Sequence, residues 1–249
     1  MAESDRSSDT TILRAPKVPD GENLFYRIKD KDSDEIIGYR RYKISKIVEE
    51  GKECYEVNVK TESTDEEYNE VIDETSILGI DEVLRPITRR MITTVRDGKL
   101  VSDMKMNYEE LDIPPNCCTS LSALALYLRS GPFDPKLTTS VNVMMADRLF
   151  VINSTTSKEK ESITVPSGTY DCYKVELTPD IASLMDQLPA GFNFPQAFYT
   201  LAQRLVSRFI PSIYYWYSVD EPHIPIMYEG VEHSSSSVGE AIIEELVSE

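Results

Sequence analysis

Apolar and polar residues alternate with a period of two along much of the chain, which predicts β-strands. Residues 53–60 place Tyr55, Val57 and Val59 on one face of such a strand. An earlier strand over about residues 37–48 has Tyr42, Ile44 and Val48 in the same phase. Glu50-Gly51 lies between the two strands and is typical of a tight turn. We therefore expect a β-hairpin whose two apolar faces both point inward.

A second hairpin is predicted over residues 91–108, with Asp97-Gly98 as its turn. Glycine supplies the positive φ angle that such a turn requires. The second strand of this hairpin is expected to direct four residues to one face: Leu100, Met104, Met106 and Tyr108. Consecutive hairpins favour an antiparallel meander over alternating strands and crossover helices.

The pattern changes to a helical period at two places. Residues 119–129 carry Leu121, Leu124, Ala125 and Leu128 at helical spacing, after a capping Thr119 or Ser120 and before Gly131-Pro132. Residues of about 180–210 form a second helical segment, with an apolar face that includes Phe194, Phe198, Leu201 and Leu205. The first helix is expected to pack on the sheet, since a single sheet has no second sheet to cover it.

Strands are predicted again in the second half of the chain, at 141–143, 149–152, 170–177, 213–219 and 224–228. Periodicity does not decide whether residues 239–248 form a strand or a helix. The predicted fold class is mainly β, of the α+β type, with a single antiparallel sheet, a packed helix and an inserted helical segment. Residues 1–20 are expected to be a mobile arm, and residues 21–249 a single domain.

Composition restricts the classes of function. The chain has 249 residues, 41% hydrophobic residues and a formal net charge of −17, which suits a globular protein and disfavours nucleic acid or anionic lipid surfaces as partners. The polar N-terminus and the absence of long apolar runs predict a cytoplasmic protein with no membrane insertion. Its four cysteines are then expected to be reduced.

Candidate chemistry is sparse. His223 is the one plausible general base, beside Asp220 and Glu221, whereas His233 lies next to a serine-rich stretch. The cysteines at 54, 117, 118 and 172 lack zinc-ligand spacing. Nucleotide-binding and serine-hydrolase motifs do not occur in the sequence. We therefore expect no catalytic residues, no metal site and no cofactor.

The aromatic run 213–217 places rings on both faces of one strand. Two interpretations are open: the rings are core on one face and covered on the other, or they line a pocket. The pocket interpretation gives seven candidate ligand-binding residues. They are Tyr214 and Trp216 from this strand, Phe194, Phe198 and Leu201 from the helical segment, and Met104 and Met106 from the second hairpin.

Three short strings carry a family resemblance: 21–26 (GENLFY), 165–170 (VPSGTY) and 216–220 (WYSVD) followed by 224–226 (IPI). Together they resemble a bacterial family of uncharacterised domains that is similar to the periplasmic lipoprotein carriers and related lipid-binding half-barrels. The resemblance implies a strongly curved sheet, or half-barrel, wrapped around the helix at 119–129, with room for an apolar cavity. It also implies that residues 239–248 are the final strand.

Two features depart from the family pattern: no export signal is visible, and the segment of about 180–210 is an insertion. The leading functional hypothesis is non-enzymatic binding of an apolar or amphipathic, lipid-like ligand. The inserted segment is then a lid if the half-barrel keeps a cavity, and an extra layer of core if the interior is full. A structural or protein-interaction domain with a filled interior is the first alternative. An acid-base enzyme that uses carboxylates near His223 is the second. Ligand identity and oligomeric state do not follow from the sequence.

Overall fold

The computed structural model describes residues 12–64, 70–95, 97–114, 116–145, 148–180, 183, 213–231 and 238–247. Within these residues the chain forms thirteen β-strands and one short α-helix, α1 (Leu121–Tyr127), which ends in a 3-10 turn (Leu128–Ser130). The prediction of a mainly β protein is confirmed. The helical segment predicted at about 180–210 lies almost entirely outside the described residues.

The first seven strands are β1 (Glu22–Asp30), β2 (Ile36–Glu49), β3 (Lys52–Ser63), β4 (Glu70–Ile80), β5 (Leu84–Val95), β6 (Leu100–Asn107) and β7 (Cys117–Cys118). The remaining six are β8 (Thr138–Met145), β9 (Arg148–Val165), β10 (Gly168–Pro179), β11 (Ile213–Ser218), β12 (Pro225–Val231) and β13 (Val238–Val247). The strand that the family resemblance implied for residues 239–248 is therefore present as β13.

All thirteen strands belong to one sheet, in the order β6-β5-β4-β3-β2-β1-β13-β12-β11-β10-β9-β8-β7. Neighbours pair antiparallel throughout, except that the two-residue strand β7 pairs parallel with β8. The last strand of the chain pairs with the first, β13 with β1. In the described part of the chain β6 and β7 are the two edges and do not pair, so the sheet is curved but not closed.

Both predicted hairpins form with the expected turns. Glu50 and Gly51 have φ angles of 51° and 81°, the conformation of the turn that joins β2 to β3. Gly98 has a φ of 82° between β5 and β6. Because turn chemistry fixes the register of a hairpin, these two glycines also determine which residues of the four strands share a face.

The face of the sheet that carries α1, which we call the inner face, holds most of the core. Cross-strand pairing runs from Glu22 through Ile44 and Val57 to Ser76 and Arg89, so these residues all belong to the inner face. Leu124, Ala125 and Leu128 are buried in the same core, as predicted for the helix at 119–129. Ser120 caps the helix by accepting a hydrogen bond from the Ala123 backbone N–H at 3.0 Å.

Helix α1 is held to both halves of the sheet by two tyrosine hydroxyls. Tyr217 on β11 donates to the carbonyl of Ala125 at 3.0 Å. Tyr127 at the end of the helix donates to the carbonyl of Leu84, the first residue of β5, at 3.0 Å. A seven-residue helix is too short to be stable by itself. Packing and these two anchors therefore fix its position inside the curved sheet.

Residues 12–20, which were expected to be part of a mobile arm, pack on the sheet in the structure. Leu13 and Val18 are buried in the core. The Val18 N–H donates to the Tyr55 hydroxyl at 3.1 Å, and that hydroxyl donates in turn to the Pro16 carbonyl at 2.9 Å. The sequence pattern missed this contact because an extended segment without periodicity has no local signal for burial.

Two of the predicted inward faces are wrong in part. Val48 is 72% exposed at the end of β2, although Ile44 is buried as expected. Leu100 is 58% exposed and Met104 is 50% exposed, because β6 is the edge strand of the sheet and no described element covers its apolar side chains. Alternation indicates which residues share a face, but it does not indicate where a strand lies in a sheet.

Candidate ligand-binding site

The gap between the two edges of the sheet carries a group of polar side chains. Strand β7 lies against β5 across this gap. Five residues from both sides of the gap form what we call the seam cluster: Glu74, Ser76, Arg89, Tyr108 and Thr119. Tyr108 and Thr119 directly follow β6 and β7, so the two edge strands place them here.

Glu74 is the acceptor at the centre of the seam cluster. Its Oε2 accepts a hydrogen bond from Arg89 Nη2 at 3.1 Å, and its Oε1 accepts one from the Ser76 hydroxyl at 3.4 Å. The Glu74 side chain is 9% exposed and that of Arg89 is 19% exposed. The charges of this pair offset each other, and both carboxylate oxygens already have a donor.

Two buried polar atoms of the cluster lack a well-aligned hydrogen bond to the described residues: Arg89 Nε and Thr119 Oγ1. Both residues lie close to the Tyr108 hydroxyl, which donates to the sulfur of Met106 at 3.3 Å. Burial raises the pKa of Tyr108 and the Arg89 charge opposes that rise. The Tyr108 oxygen is within hydrogen-bonding reach of both side chains and can accept from them. Because that contact leaves Arg89 Nε and Thr119 Oγ1 poorly aligned, both atoms can also donate to a further acceptor oxygen.

Methionines lie beside the seam cluster on the same inner face. Met91 is directly opposite Glu74 across β4 and β5, Met106 is opposite Arg89, and Met104 is opposite Met91. Methionine is flexible and polarisable, so it adapts to apolar ligands of irregular shape. The structure thus places two predicted site residues, Met104 and Met106, next to the polar cluster, where Met106 is half-buried and Met104 is half-exposed.

Tyr214 and Trp216 lie on the other face of the sheet. On β11 it is Tyr215 and Tyr217 that point to the inner face, where Tyr215 packs against Tyr228 with ring centroids 4.9 Å apart. Tyr214 and Trp216 instead surround the Lys174 ammonium, which is 4.7 Å and 4.8 Å from their ring centroids. Trp216 Nε1 also donates to Glu161 at 2.7 Å. The structure therefore does not bring these two residues together with the methionines.

The remaining predicted candidates are His223 and three residues of the helical segment. Phe194, Phe198 and Leu201 lie outside the described residues. His223 Nδ1 donates to the Ser218 carbonyl at 2.9 Å, and the His223 ring packs 4.8 Å from that of Phe133. Among the described residues the contacts of the His223 ring are with this carbonyl and with aromatic rings, rather than with a carboxylate.

A small cavity lies beside the 3-10 turn that ends α1. Its lining includes Leu128, Phe133, Leu137 and Val175, and its volume is about 10 Å³. That volume suits about one water molecule. It is far too small for a lipid chain, so it does not compete with the seam cluster as a ligand site.

The four cysteines are buried free thiols. Burial raises the pKa of Cys117 to about 11 and that of Cys172 to about 12. Burial also raises the pKa of Cys118 far above its ordinary value, although Cys118 lies near the Arg89 charge. A neutral thiol is a poor nucleophile, so Cys117 and Cys118 beside the seam cluster do not provide thiolate chemistry at neutral pH.

The raised thiol pKa values predict that stability falls at alkaline pH. Above about pH 9 the unfolded chain releases thiol protons while the folded chain retains them, which favours unfolding. We expect the urea midpoint to be lower at pH 10 than at pH 8. A Cys117→Ala/Cys172→Ala variant should show a smaller decrease over the same interval. An equal decrease in the variant would contradict the assignment to these thiols.

An open, curved antiparallel sheet that nearly surrounds a short helix defines the class of a β-barrel-like domain. The chain belongs to the DUF3108-like family, whose model matches residues 20–190. No curated protein matches the chain. In the part of the chain that the structure describes, no helix is long and apolar enough to span a bilayer.

One solved structure shows the same overall architecture. The chain is similar to a β-barrel-like protein of the DUF1849 family of unknown function from Brucella abortus, with 11% identity and a TM-score of 0.50 over 95% of this chain and 98% of that one. A candidate lipoprotein from Parabacteroides distasonis matches with 13% identity and a TM-score of 0.36, over 96% and 100% of the two chains. At such identities the first similarity shows the fold alone.

Proposed function

We propose that this protein is a non-enzymatic binding protein for an amphipathic, lipid-like ligand. The observation that carries the proposal is the pair of buried polar atoms Arg89 Nε and Thr119 Oγ1, which lack a well-aligned hydrogen bond to the described residues although the Tyr108 hydroxyl lies within reach of both side chains. Arg89 lies directly opposite Met106 and on the same face as Met91. An acceptor oxygen in the head group of the ligand would satisfy the two donors. Its apolar chain would lie along Met91, Met104 and Met106.

The residues of the site suit binding better than catalysis. Arg89 and Glu74 already neutralise each other, and the neighbouring thiols stay protonated at neutral pH. A general base would need a titratable group poised near neutral pH and close to a reacting atom. The cluster instead offers donors at fixed positions, which orient a ligand without transferring protons.

Calorimetric titration with laurate and with dodecyltrimethylammonium tests this proposal. Both probes have a twelve-carbon chain, but only laurate has acceptor oxygens for Arg89 and Thr119. We expect laurate to bind and the ammonium compound to bind much more weakly. Native mass spectrometry of gently purified protein, followed by lipid extraction, would identify a ligand that co-purifies with the chain.

Arg89→Gln is expected to weaken laurate binding by about tenfold, which corresponds to the loss of one charge-assisted hydrogen bond. Arg90→Gln is the matched control, because Arg90 is adjacent, exposed and paired with Asp103 on the outer face. A Glu74→Gln/Arg89→Gln variant avoids leaving a buried carboxylate unpaired and should show the same weakening. Equal affinity in all variants, or no binding of laurate, would favour the interaction-domain hypothesis.

A cytoplasmic location stays a prediction, as does the role of the segment of about 180–210 as a lid. Trp216 emission is a poor reporter of this ligand, because Trp216 lies on the outer face with Lys174 and Glu161.

A further inference from the structure

Strand β6 is an edge strand with an unusually apolar surface. It pairs with β5 on one side, and in the described part of the chain no strand pairs with its other side. Leu100, Val101 and Met104 are between 50% and 58% exposed. Natural proteins usually protect such edges, because unpaired backbone N–H and C=O groups beside apolar side chains attract another strand.

The β5–β6 hairpin is basic in an otherwise acidic protein. Residues 84–107 contain two acidic residues, Asp97 and Asp103, and six basic ones, Arg85, Arg89, Arg90, Arg96, Lys99 and Lys105. Their net charge of +4 contrasts with −17 for the whole chain. Arg90 and Asp103 neutralise each other through two hydrogen bonds of 2.7 Å and 3.0 Å, and Arg89 pairs with Glu74 of β4. The exposed Arg85, Lys99 and Lys105 therefore carry the positive charge of the described part of the hairpin.

We propose that the free edge of β6 is a docking site for an acidic, extended segment of a partner protein, which adds to the sheet as a further strand. Main-chain hydrogen bonds would supply affinity, as in other cases of strand addition. Lys99 and Lys105 are exposed and select for acidic side chains. Lys105, opposite Arg90, lies on the outer face of β6, whereas Met104, opposite Met91, lies on the inner face and selects for an apolar residue beside it.

The unpaired backbone N–H and C=O groups of β6 favour an acidic strand over two other occupants, a lipid surface and a second copy of this chain. A lipid surface would cover Leu100 and Val101 but would leave the backbone groups of the edge without hydrogen bonds, which is costly in hydrocarbon. A second copy of this chain paired through β6 would bring two hairpins of net charge +4 together. An acidic strand satisfies the backbone and offsets the charge at the same time.

Fluorescence anisotropy with a labelled ten-residue peptide of alternating Glu and Val tests the proposal on the full chain. We expect binding that weakens with salt, and protection of β6 amides from hydrogen exchange when the peptide is bound. Lys99→Glu/Lys105→Glu should weaken binding by at least about tenfold. Lys52→Glu/Lys158→Glu is the matched control, since it changes the net charge equally at exposed lysines outside the hairpin.

Three results would overturn the proposal. The first is equal affinity for the peptide in the two charge-reversal variants. The second is equal affinity for a peptide with Lys in place of Glu, or for one with five Glu followed by five Val. The third is a chain that does not bind the peptide but binds vesicles that contain phosphatidylglycerol, or that does not bind the peptide but forms a dimer that dissociates on dilution. Laurate binding by the Lys99→Glu/Lys105→Glu variant should be unchanged, because neither lysine is part of the seam cluster, and this separates failure of the docking proposal from failure of the ligand proposal.

Discussion

Replacing Arg129 by methionine is expected to lower the free energy of unfolding by about 3–5 kcal/mol, because it leaves a buried carboxylate without its partner. Arg129 donates to both oxygens of Glu22, at 2.6 Å and 2.9 Å. Both side chains are 1% exposed. Arg129 Nε also donates to the Pro222 carbonyl at 2.9 Å, so one guanidinium joins β1, the end of α1 and the segment before β12.

Urea denaturation followed by circular dichroism measures this effect. A Glu22→Leu/Arg129→Met double variant removes both charges and should recover much of the lost stability, as in other buried ion pairs. Arg90→Met breaks the exposed pair with Asp103 and should change the urea midpoint very little. An Arg129→Met variant with an unchanged midpoint and an unchanged denaturant slope would contradict the role of the buried pair.

The sequence contained a signal for this ion pair, although the pattern analysis did not use it. Arg129 follows Leu121 and Ala125 at intervals of four, so it lies on the apolar stripe of its helical segment. Glu22 is likewise in phase with Leu24, Tyr26 and Ile28 on β1. A charged residue on the apolar face of its own element needs a partner when it is buried. Two such residues of opposite charge indicate a pair, even 107 positions apart.

The hairpins and the helix could be predicted because their signals are local. Gly51 and Gly98 mark tight turns, and alternation on either side of each turn determines the strands. Ser120 and the leucines that follow it determine α1 in the same way. These features depend on neighbouring residues in the chain, which a single sequence shows directly.

Neither the order of the strands nor which side chains face the inside of the sheet could be predicted from the sequence of each strand alone. On β11, tyrosines and tryptophan occupy both faces, so the pattern does not reveal that Tyr215 and Tyr217, rather than Tyr214 and Trp216, face the helix. The pairing of β11 with β10 and β12 decides this. The exposed side chain of Met104 likewise depends on β6 being an edge strand, which only the complete sheet defines.

The seam cluster was missed for a related reason. Glu74, Arg89 and Thr119 lie on three different elements, and each is an ordinary charged or polar residue in its own segment. Only the curvature of the sheet brings β7 against β5 and thereby places Thr119 near Arg89. The predicted Met104 and Met106 were the candidates close to this place, because their strand pairs directly with β5.

Leu124→Ala is expected to lower the free energy of unfolding by about 2–5 kcal/mol, through lost apolar burial and the cavity that remains. Leu124 is completely buried at the centre of α1. The helix cannot readily collapse into the cavity, because the hydroxyls of Tyr217 and Tyr127 fix its position relative to β11 and β5. We therefore expect a value toward the upper end of this range.

Thermal and urea unfolding of Leu124→Ala check this expectation against Leu100→Ala, which removes the same atoms at a site that is 58% exposed. The control should unfold almost like the original chain. A Tyr217→Phe/Leu124→Ala variant removes one anchor and lets the helix move toward the cavity. If the anchors hold the helix in place, Leu124→Ala will lower the free energy of unfolding less in the Tyr217→Phe variant than in the original chain. Strictly additive losses would show that α1 relaxes without hindrance, and that packing rather than the tyrosine anchors determines its position.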